Sequence, residues 1–275
     1  MVLLKGSIIF DESILVIKKE VDSCLIKPCL AVIQVGNDGA SDVYVNRKRL
    51  ACVKTGIVFK HFKYDCAVLE TEVINKIKEL NSDKYVDGIL VQLPLASHLN
   101  VTKIINYIDY AKDVDGLTDI SLGRLVHNKD TNVPCTPMGI IKMLDYYDIS
   151  VVGKNVVIVG CSSLIGLPLM NLLINRGATV SMCHIMTNDL KSYTCRSDIL
   201  IVATGHKHLI TADMVCTDSV VIDVGITREN GNLYGDVDFE AVKDKVYAIT
   251  PVPGGVGPMT VLMLLLNVMK SYKNK

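Results

Sequence analysis

Residues 156–166 read Val156-Val157-Ile158-Val159-Gly160-Cys161-Ser162-Ser163-Leu164-Ile165-Gly166. Four consecutive β-branched residues leave the strand no polar face, the pattern of a parallel strand covered on both sides. The strand runs into a glycine turn and a helix through Leu173, and Ala178-Thr179-Val180-Ser181-Met182 follows as a second strand. Strand, glycine turn, helix and strand within about thirty residues is the setting of a dinucleotide-binding unit. The glycine spacing departs from GxGxxG: Ser162 takes the second position and Gly166 comes one residue late. Two readings stay open. The turn presents amides to a pyrophosphate, or it needs glycine only for close strand–helix packing. The acidic residue that would bind a ribose hydroxyl is missing after the second strand, where Cys183-His184-Ile185-Met186 stands instead.

Downstream, Asp198 to Gly205 and Ser219 to Gly225 are two more apolar strands ending in glycine turns. Ala203, Thr204 and Gly205 in the first turn, and Gly225 and Ile226 in the second, suit a nucleotide edge. Pro251-Val252-Pro253-Gly254-Gly255-Val256-Gly257-Pro258 then packs three prolines and three glycines directly before a helix start, which brings backbone amides close to a ligand. The apolar run Thr260 to Met269 is about half a membrane span and reads as a buried terminal helix.

Upstream, apolar spacing predicts a helix over 11–25, a buried strand at Leu30–Val35, and a helix from about Val43 to Thr55 capped by Ser41 or Asp42 and stopped at Gly56. A strand over Val58–Tyr64, a helix over Leu69–Leu80 and a strand over Gly88–Leu93 follow. That order implies a parallel sheet with helical crossovers, whose ligands bind at the carboxyl ends of the strands. Tyr44 and Lys48 share a face of the helix after the first strand, and Gln92 ends the third. Asp115, in Asp113-Val114-Asp115-Gly116, belongs to the next connection. These four side chains could converge on one cleft. Each has a plainer reading as well: a solvated helix face, a sheet-edge amide, a turn.

Lys+Arg and Asp+Glu are both 29, so the net charge is zero, and no basic stripe is present, which argues against nucleic acid or an anionic membrane as partner. The nine cysteines are scattered without a CxxC pair, so reduced thiols in a cytoplasmic compartment are expected and a metal site is not. The N-terminal MVLLKGSIIFDES has too short an apolar run for a signal peptide.

Six motifs carry a family resemblance along essentially the whole length: YVNRK at 44–48, DGILVQLPL at 87–95, KDVDG at 112–116, PCTP at 134–137, GxSxxxGxP at 160–168 and PVPGGVGPMT at 251–260. In this order they resemble bifunctional methylenetetrahydrofolate dehydrogenase/methenyltetrahydrofolate cyclohydrolase. The resemblance implies a two-domain α/β chain with a cleft between the domains. Residues 1–117 would be the folate-binding catalytic domain, with 258–275 packing back on it, and 118–257 the Rossmann-type NAD(P) domain. It implies oxidation of 5,10-methylenetetrahydrofolate by hydride transfer to NADP, hydrolysis of the methenyl product to 10-formyltetrahydrofolate, and a homodimer. Lys48 would be the catalytic amine, held by Gln92; Tyr44 would stack on the aminobenzoyl ring and Asp115 would anchor the pterin. Val91, Leu93, Pro253, Gly254, Gly255 and Pro258 would line the folate site. Gly160, Cys161, Ser162, Ile165, Ile185, Ala203, Thr204, Gly205, Gly225, Ile226, Gly257 and Thr260 would line the cofactor site.

The chain departs from the family pattern at two cofactor positions. Cys161 replaces the arginine after the first glycine, and Ile185 replaces the serine after the histidine of the second strand. Neither can pair with a 2′-phosphate dianion, so NADP stands as the family default with NAD possible. Gly39 also replaces a proline before Ser41. A chain whose glycine turn held no nucleotide would be a cyclohydrolase only, or a folate-binding protein without redox activity.

Overall fold

Long runs of buried β-branched and aliphatic residues form the strands, and the glycine-ended connections between them turn the chain into helices. The computed structural model describes residues 1–275, apart from the side chain of Ala40. The elements run β1 (Val2–Leu3), α1 (Gly6–Ser23), β2 (Cys29–Val35), α2 (Gly39–Thr55), β3 (Val58–Tyr64), α3 (Glu70–Ser82), β4 (Gly88–Val91), α4 (Val101–Ile105) and α5 (Asp119–Val126). They continue α6 (Cys135–Tyr146), β5 (Asn155–Val159), α7 (Gly166–Asn175), β6 (Thr179–Cys183), α8 (Leu190–Thr194), β7 (Ile199–Val202) and β8 (Val220–Asp223). The chain closes with β9 (Thr227–Glu229), β10 (Asn232–Tyr234), α9 (Phe239–Val242), β11 (Ala248–Ile249) and α10 (Val256–Lys273).

Two units separate. One comprises residues 11–135 and 261–275 and is labelled the catalytic unit after the role the resemblance implies; the other, 1–10 and 136–260, is labelled the cofactor unit in the same way. The catalytic unit, 11–135 with 261–275, holds a three-stranded parallel sheet in the order β3-β2-β4. Every residue of β2 is buried. Ala31, Ile33 and Val35 on one side of it pack with Val73, Ile74, Ile77 and Leu80 of α3. Because β3 and β4 flank β2 on opposite sides, the sheet has its topological switch point between β2 and β4, where a crevice opens beyond the strand ends.

The cofactor unit, 1–10 with 136–260, holds a six-stranded sheet in the order β1-β11-β8-β7-β5-β6, all parallel. Here β6 and β7 flank β5, so the switch point lies between β5 and β7. Its core joins Val157 and Val159 to Leu200, Val202, Val221 and Ile249.

Several boundaries differ from the sequence expectations, each for a non-local reason. The unit boundary falls at 135/136 rather than 117/118. Asp113 accepts hydrogen bonds from the backbone of Gly116 (2.8 Å) and Thr118 (2.8 Å), and Asn132 donates to the carbonyl of Asp113 (3.0 Å) and to Ser271 Oγ (2.9 Å), which ties 118–135 to the catalytic sheet. Residues 1–10 leave that unit because Val2 and Leu3 pair in register with Ala248 and Ile249. The first helix starts at Gly6, not near residue 11. The cap of α2 is Asp38, whose carboxylate accepts from the Ser41 amide (2.8 Å), rather than Ser41 or Asp42. Asp42 instead takes Gln34 Nε2 (2.7 Å) and pairs with Lys63 (2.8 Å). The stop at Gly56 is an αL cap with φ +82°, as the sequence predicts.

Candidate active site

At the switch point of the catalytic sheet, α2 carries Lys48 beyond the end of β2, and the chain leaving β4 carries Gln92. Lys48 is 9% exposed, and its Nζ donates to Gln92 Oε1 at 2.9 Å. The Gln92 backbone amide donates to the carbonyl of Ile33 (2.8 Å), and its side-chain nitrogen donates to the carbonyl of Leu93 (2.7 Å). Val91 is buried at the end of β4, and Leu93 is half-buried one residue beyond Gln92.

Asp115 reaches this group from the connection that follows α4. Ile89 and Asp113 form an isolated parallel bridge, so the 112–115 segment continues the sheet past β4. Burial is the main force on both groups: it lowers the pKa of Lys48 and raises that of Asp115, while each pulls the other toward its charged form. Asp113 pushes Asp115 further up and the neighbouring Cys135 thiol, whose Sγ donates to the Val114 carbonyl at 3.4 Å, draws it down. The loop is fastened from the C-terminal helix. Asn267 Nδ2 donates to the carbonyls of Val114 (2.9 Å) and Val133 (3.0 Å). Tyr44 lies one helical turn before Lys48, half-buried, with the Arg47 guanidinium 6.0 Å from its ring centre.

Sequence reasoning reads Cys135 only as part of a boundary and does not single out Asp113 or Asn267. Cys135 and Asn267 act on partners far along the chain, whereas Asp113 holds amides three to five residues on; the PCTP and KDVDG motifs are the signals for Cys135 and Asp113.

The other candidate residues lie in the cofactor unit. Gly160 has φ +119°, and a Cβ on it would stand 2.3 Å from the Ala203 carbonyl oxygen, which supports the packing reading of the glycine turn. Glycine is needed for packing, and that packing sets the Gly160–Ser162 turn beside the Ala203–Gly205 turn at the switch point. Ser162 Oγ accepts from the Ile165 amide at 3.2 Å. Ser162, Thr204 and Gly205 are exposed and Ile226 is half-buried. Ile185 is 99% exposed beyond β6, and Cys161 Sγ donates to the Cys183 carbonyl at 3.3 Å. Pro253, Gly254 and Gly255 precede α10, Gly257 and Pro258 lie in its first turn, and Thr260 Oγ1 is 2.9 Å from Thr136 Oγ1.

The family profile described as tetrahydrofolate dehydrogenase/cyclohydrolase, catalytic domain, matches residues 4–115, and the same family's NAD(P)-binding domain matches residues 134–275. The chain belongs to the tetrahydrofolate dehydrogenase/cyclohydrolase family. The bifunctional protein FolD of Aquifex aeolicus is 54% identical over 266 residues, 94% of this chain and 91% of that one. The crystal structure of the Campylobacter jejuni bifunctional enzyme FolD, a methylenetetrahydrofolate dehydrogenase/cyclohydrolase, superposes with a TM-score of 0.96 at 45% identity, covering 100% of this chain and 99% of that one. The Trypanosoma brucei enzyme, solved with NADP cofactor and an inhibitor, gives 0.96 at 31% identity, with 100% and 98% covered.

The chain is therefore a bifunctional dehydrogenase and cyclohydrolase of one-carbon folate metabolism, and it uses a nicotinamide dinucleotide. With the NAD(P)-binding domain matched in full sequence order, the alternative of a cyclohydrolase without redox activity has no support.

Proposed function

We propose that Lys48, in its neutral form, is the general base of the hydrolytic step. The observation that carries this is the buried 2.9 Å hydrogen bond from Lys48 Nζ to Gln92 Oε1. The methenyl substrate is a cation, so a protonated lysine beside it would be repelled, and the substrate's charge adds to burial in favouring the neutral amine. That amine takes a proton from the attacking water as the carbon–oxygen bond forms. The ring carbon–nitrogen bond then breaks as the ammonium returns a proton to the departing ring nitrogen and the adduct's hydroxyl loses its proton to solvent, giving the 10-formyl product with net release of one proton. Gln92 holds the amine in place, Asp115 anchors the pterin, and Tyr44 offers its ring to the aminobenzoyl group. The test is Lys48→Met assayed for both activities and for dinucleotide binding. Hydrolysis should fall by about 10²–10⁴-fold while dinucleotide binding persists; a variant that still hydrolyses at the wild-type rate rules this assignment out.

For the dehydrogenase step the bound dinucleotide supplies the hydride acceptor. The Gly160–Ser162 turn with Ile165, the Ala203–Gly205 turn, Gly225, Ile226, Ile185, Gly257 and Thr260 would hold it. NADP is the cofactor by family descent, and discrimination against NAD is weak because Cys161 and Ile185 offer the 2′-phosphate no positive charge. A homodimer through the cofactor unit agrees with the open edge of its sheet at β6 and the exposed Leu167 and Ile174 of α7; sedimentation of the purified chain tests it. Nine free cysteines suit a reducing cytoplasm. No helix among the described residues is long and apolar enough to cross a membrane.

A further inference from the structure

Two carboxyls, Asp223 and Asp236, are buried in the cofactor unit at 3% and 0% exposure. Their hydrogen-bond partners are backbone amides and a threonine hydroxyl. Asp236 Oδ2 accepts three bonds from a single turn: the Thr204 amide (2.6 Å), the Thr204 hydroxyl (2.9 Å) and the Gly205 amide (3.1 Å). Its other oxygen, Oδ1, is buried and has no partner. A Cβ on Gly225 would lie 1.9 Å from that oxygen, so the Gly225 backbone rests against the carboxyl.

Asp236 is itself seated by Asp223. The Asp236 amide donates to Asp223 Oδ1 (2.9 Å) and the Val237 amide to Asp223 Oδ2 (3.0 Å), while the Asp223 amide donates to Thr250 Oγ1 (2.7 Å). A Cβ on Gly235 would lie 1.8 Å from Asp223 Oδ2, which leaves the seat no slack. The ends of β7 and β8 are thereby tied to one another through two carboxyls, and the end of β11 joins them through the Thr250 hydroxyl.

We propose that Asp236, seated by Asp223, is a positioning residue for the nicotinamide dinucleotide: it fixes the Thr204–Gly205 turn by hydrogen bonds and the Gly225–Ile226 turn by contact. A buried carboxylate oxygen with no donor is rare where only stability is at stake, because an amide or an apolar side chain fills such a space at less cost. Here the carboxyl gathers three donors from the turn at the switch point of the sheet, the place where open parallel sheets take their ligands. The first turn exposes Thr204 and Gly205, while in the second Gly225 is buried, its amide drawn to the Asp223 carboxyl, and Ile226 is half-buried. Asp236 touches no ligand itself. It acts through the backbone that does.

This inference rests on the reading that the two turns contact the dinucleotide, and the experiment separates the two. NADPH is titrated by its fluorescence into the full chain, its Asp236→Asn variant and an Ile226→Glu variant, with dehydrogenase kcat and KM and the cyclohydrolase rate measured alongside. Asp236→Asn should raise the NADPH Kd and the dinucleotide KM by about tenfold, since a small misplacement of binding groups is felt at this scale. Its dehydrogenase kcat should stay within about twofold, the signature of lost uniform binding, and cyclohydrolysis should be unchanged. If Ile226→Glu weakens binding and Asp236→Asn does not, the inference is overturned while the reading of the turns stands. If Ile226→Glu has no effect, the reading fails and takes the inference with it. Equal loss of both activities in Asp236→Asn would mark a purely structural role and overturn the inference too. Should Asp236→Asn not fold, Asp223→Asn, which loosens the seat but keeps the Asp236 carboxyl, carries the same expectation.

Discussion

Lys48 Nζ donates to Gln92 Oε1 at 2.9 Å, and Gln92 Nε2 donates at 2.7 Å to the carbonyl of Leu93. Because a backbone carbonyl claims the amide nitrogen, only the amide oxygen can face the lysine. The orientation of Gln92 is thus set by hydrogen-bond chemistry, and Lys48 is held through one N–H with its remaining valences free for water.

From this comes a pH prediction. Burial lowers the Lys48 pKa, toward the neutral form that the proposed base requires. Cyclohydrolase kcat/KM should therefore rise with pH and level off above an ionisation that lies below the free-lysine value of about 10.4. Gln92→Glu puts a carboxylate where Oε1 stood, which favours the ammonium and moves the rising limb to higher pH. Activity at a fixed pH on that limb should drop about tenfold for every pH unit by which the limb moves. A pH–rate profile of the variant checks it, and a limb that stays in place would count against Lys48 as the titrating base.

Asp115→Asn should separate two effects. The Asp115 charge is one of the groups that hold Lys48 toward its protonated form, so its loss lowers the lysine pKa further and moves the rising limb to lower pH. The same change removes the charged group proposed to anchor the pterin, and a hydrogen bond to a charged group contributes about 1.5–3 kcal/mol, so the folate KM should rise about ten- to a hundredfold. Measuring kcat and KM across pH distinguishes the moved limb from the binding loss. A raised KM with an unmoved limb would show that Asp115 and Lys48 are not coupled.

Much of this is legible in the sequence. β2 and β5 are unbroken apolar runs, a local signal, and the alternation of strands with helices fixes parallel pairing and hence which loops share an edge. That reasoning brings Lys48, Gln92 and Asp115 to one edge before any distance is known. What stays hidden depends on partners far along the chain. Val2 and Leu3 are too few to show a period, and they become a strand only by pairing with Ala248 and Ile249. Residues 118–135 carry no change in composition, and Asn132, Ser271 and Asp113 bind them to the catalytic unit. Asp236 sits in a polar stretch after a hairpin, where nothing local marks one acid as buried.

On the proposed reading, cofactor choice turns on Ile185, which is exposed, and Cys161, which is half-buried. Ile185 projects into solvent and Cys161 commits its thiol to the Cys183 carbonyl. Restoring charge with Cys161→Arg and a hydroxyl with Ile185→Ser should raise the NADP-to-NAD ratio of kcat/KM by about tenfold or more, given the strength of charge-assisted bonds. The gain should shrink with added salt. Initial rates with each dinucleotide at low and high salt check it; an unchanged ratio would mean that the 2′-phosphate does not lie near these residues.

Asp223 gives the stability prediction. Burial pushes its carboxyl from 3.8 up to about 7, against the pull of the amides of Val237, Asp236 and Gly225 and with a push from the Asp236 charge. The folded chain therefore holds this proton where the unfolded chain has released it, and stability falls as pH rises between those two values. Above about pH 7 the full cost of an ionised, buried carboxylate is present, on the order of 4 kcal/mol for a carboxyl moved from 3.8 to about 7. Asp223→Asn cannot ionise, so it escapes this loss while giving up one accepted hydrogen bond at every pH. Thermal unfolding of both chains from about pH 5 to about pH 8 should show the variant behind at the acid end and gaining steadily on the wild type toward the alkaline end. A gap that stays constant across the range would mean that Asp223 does not titrate there.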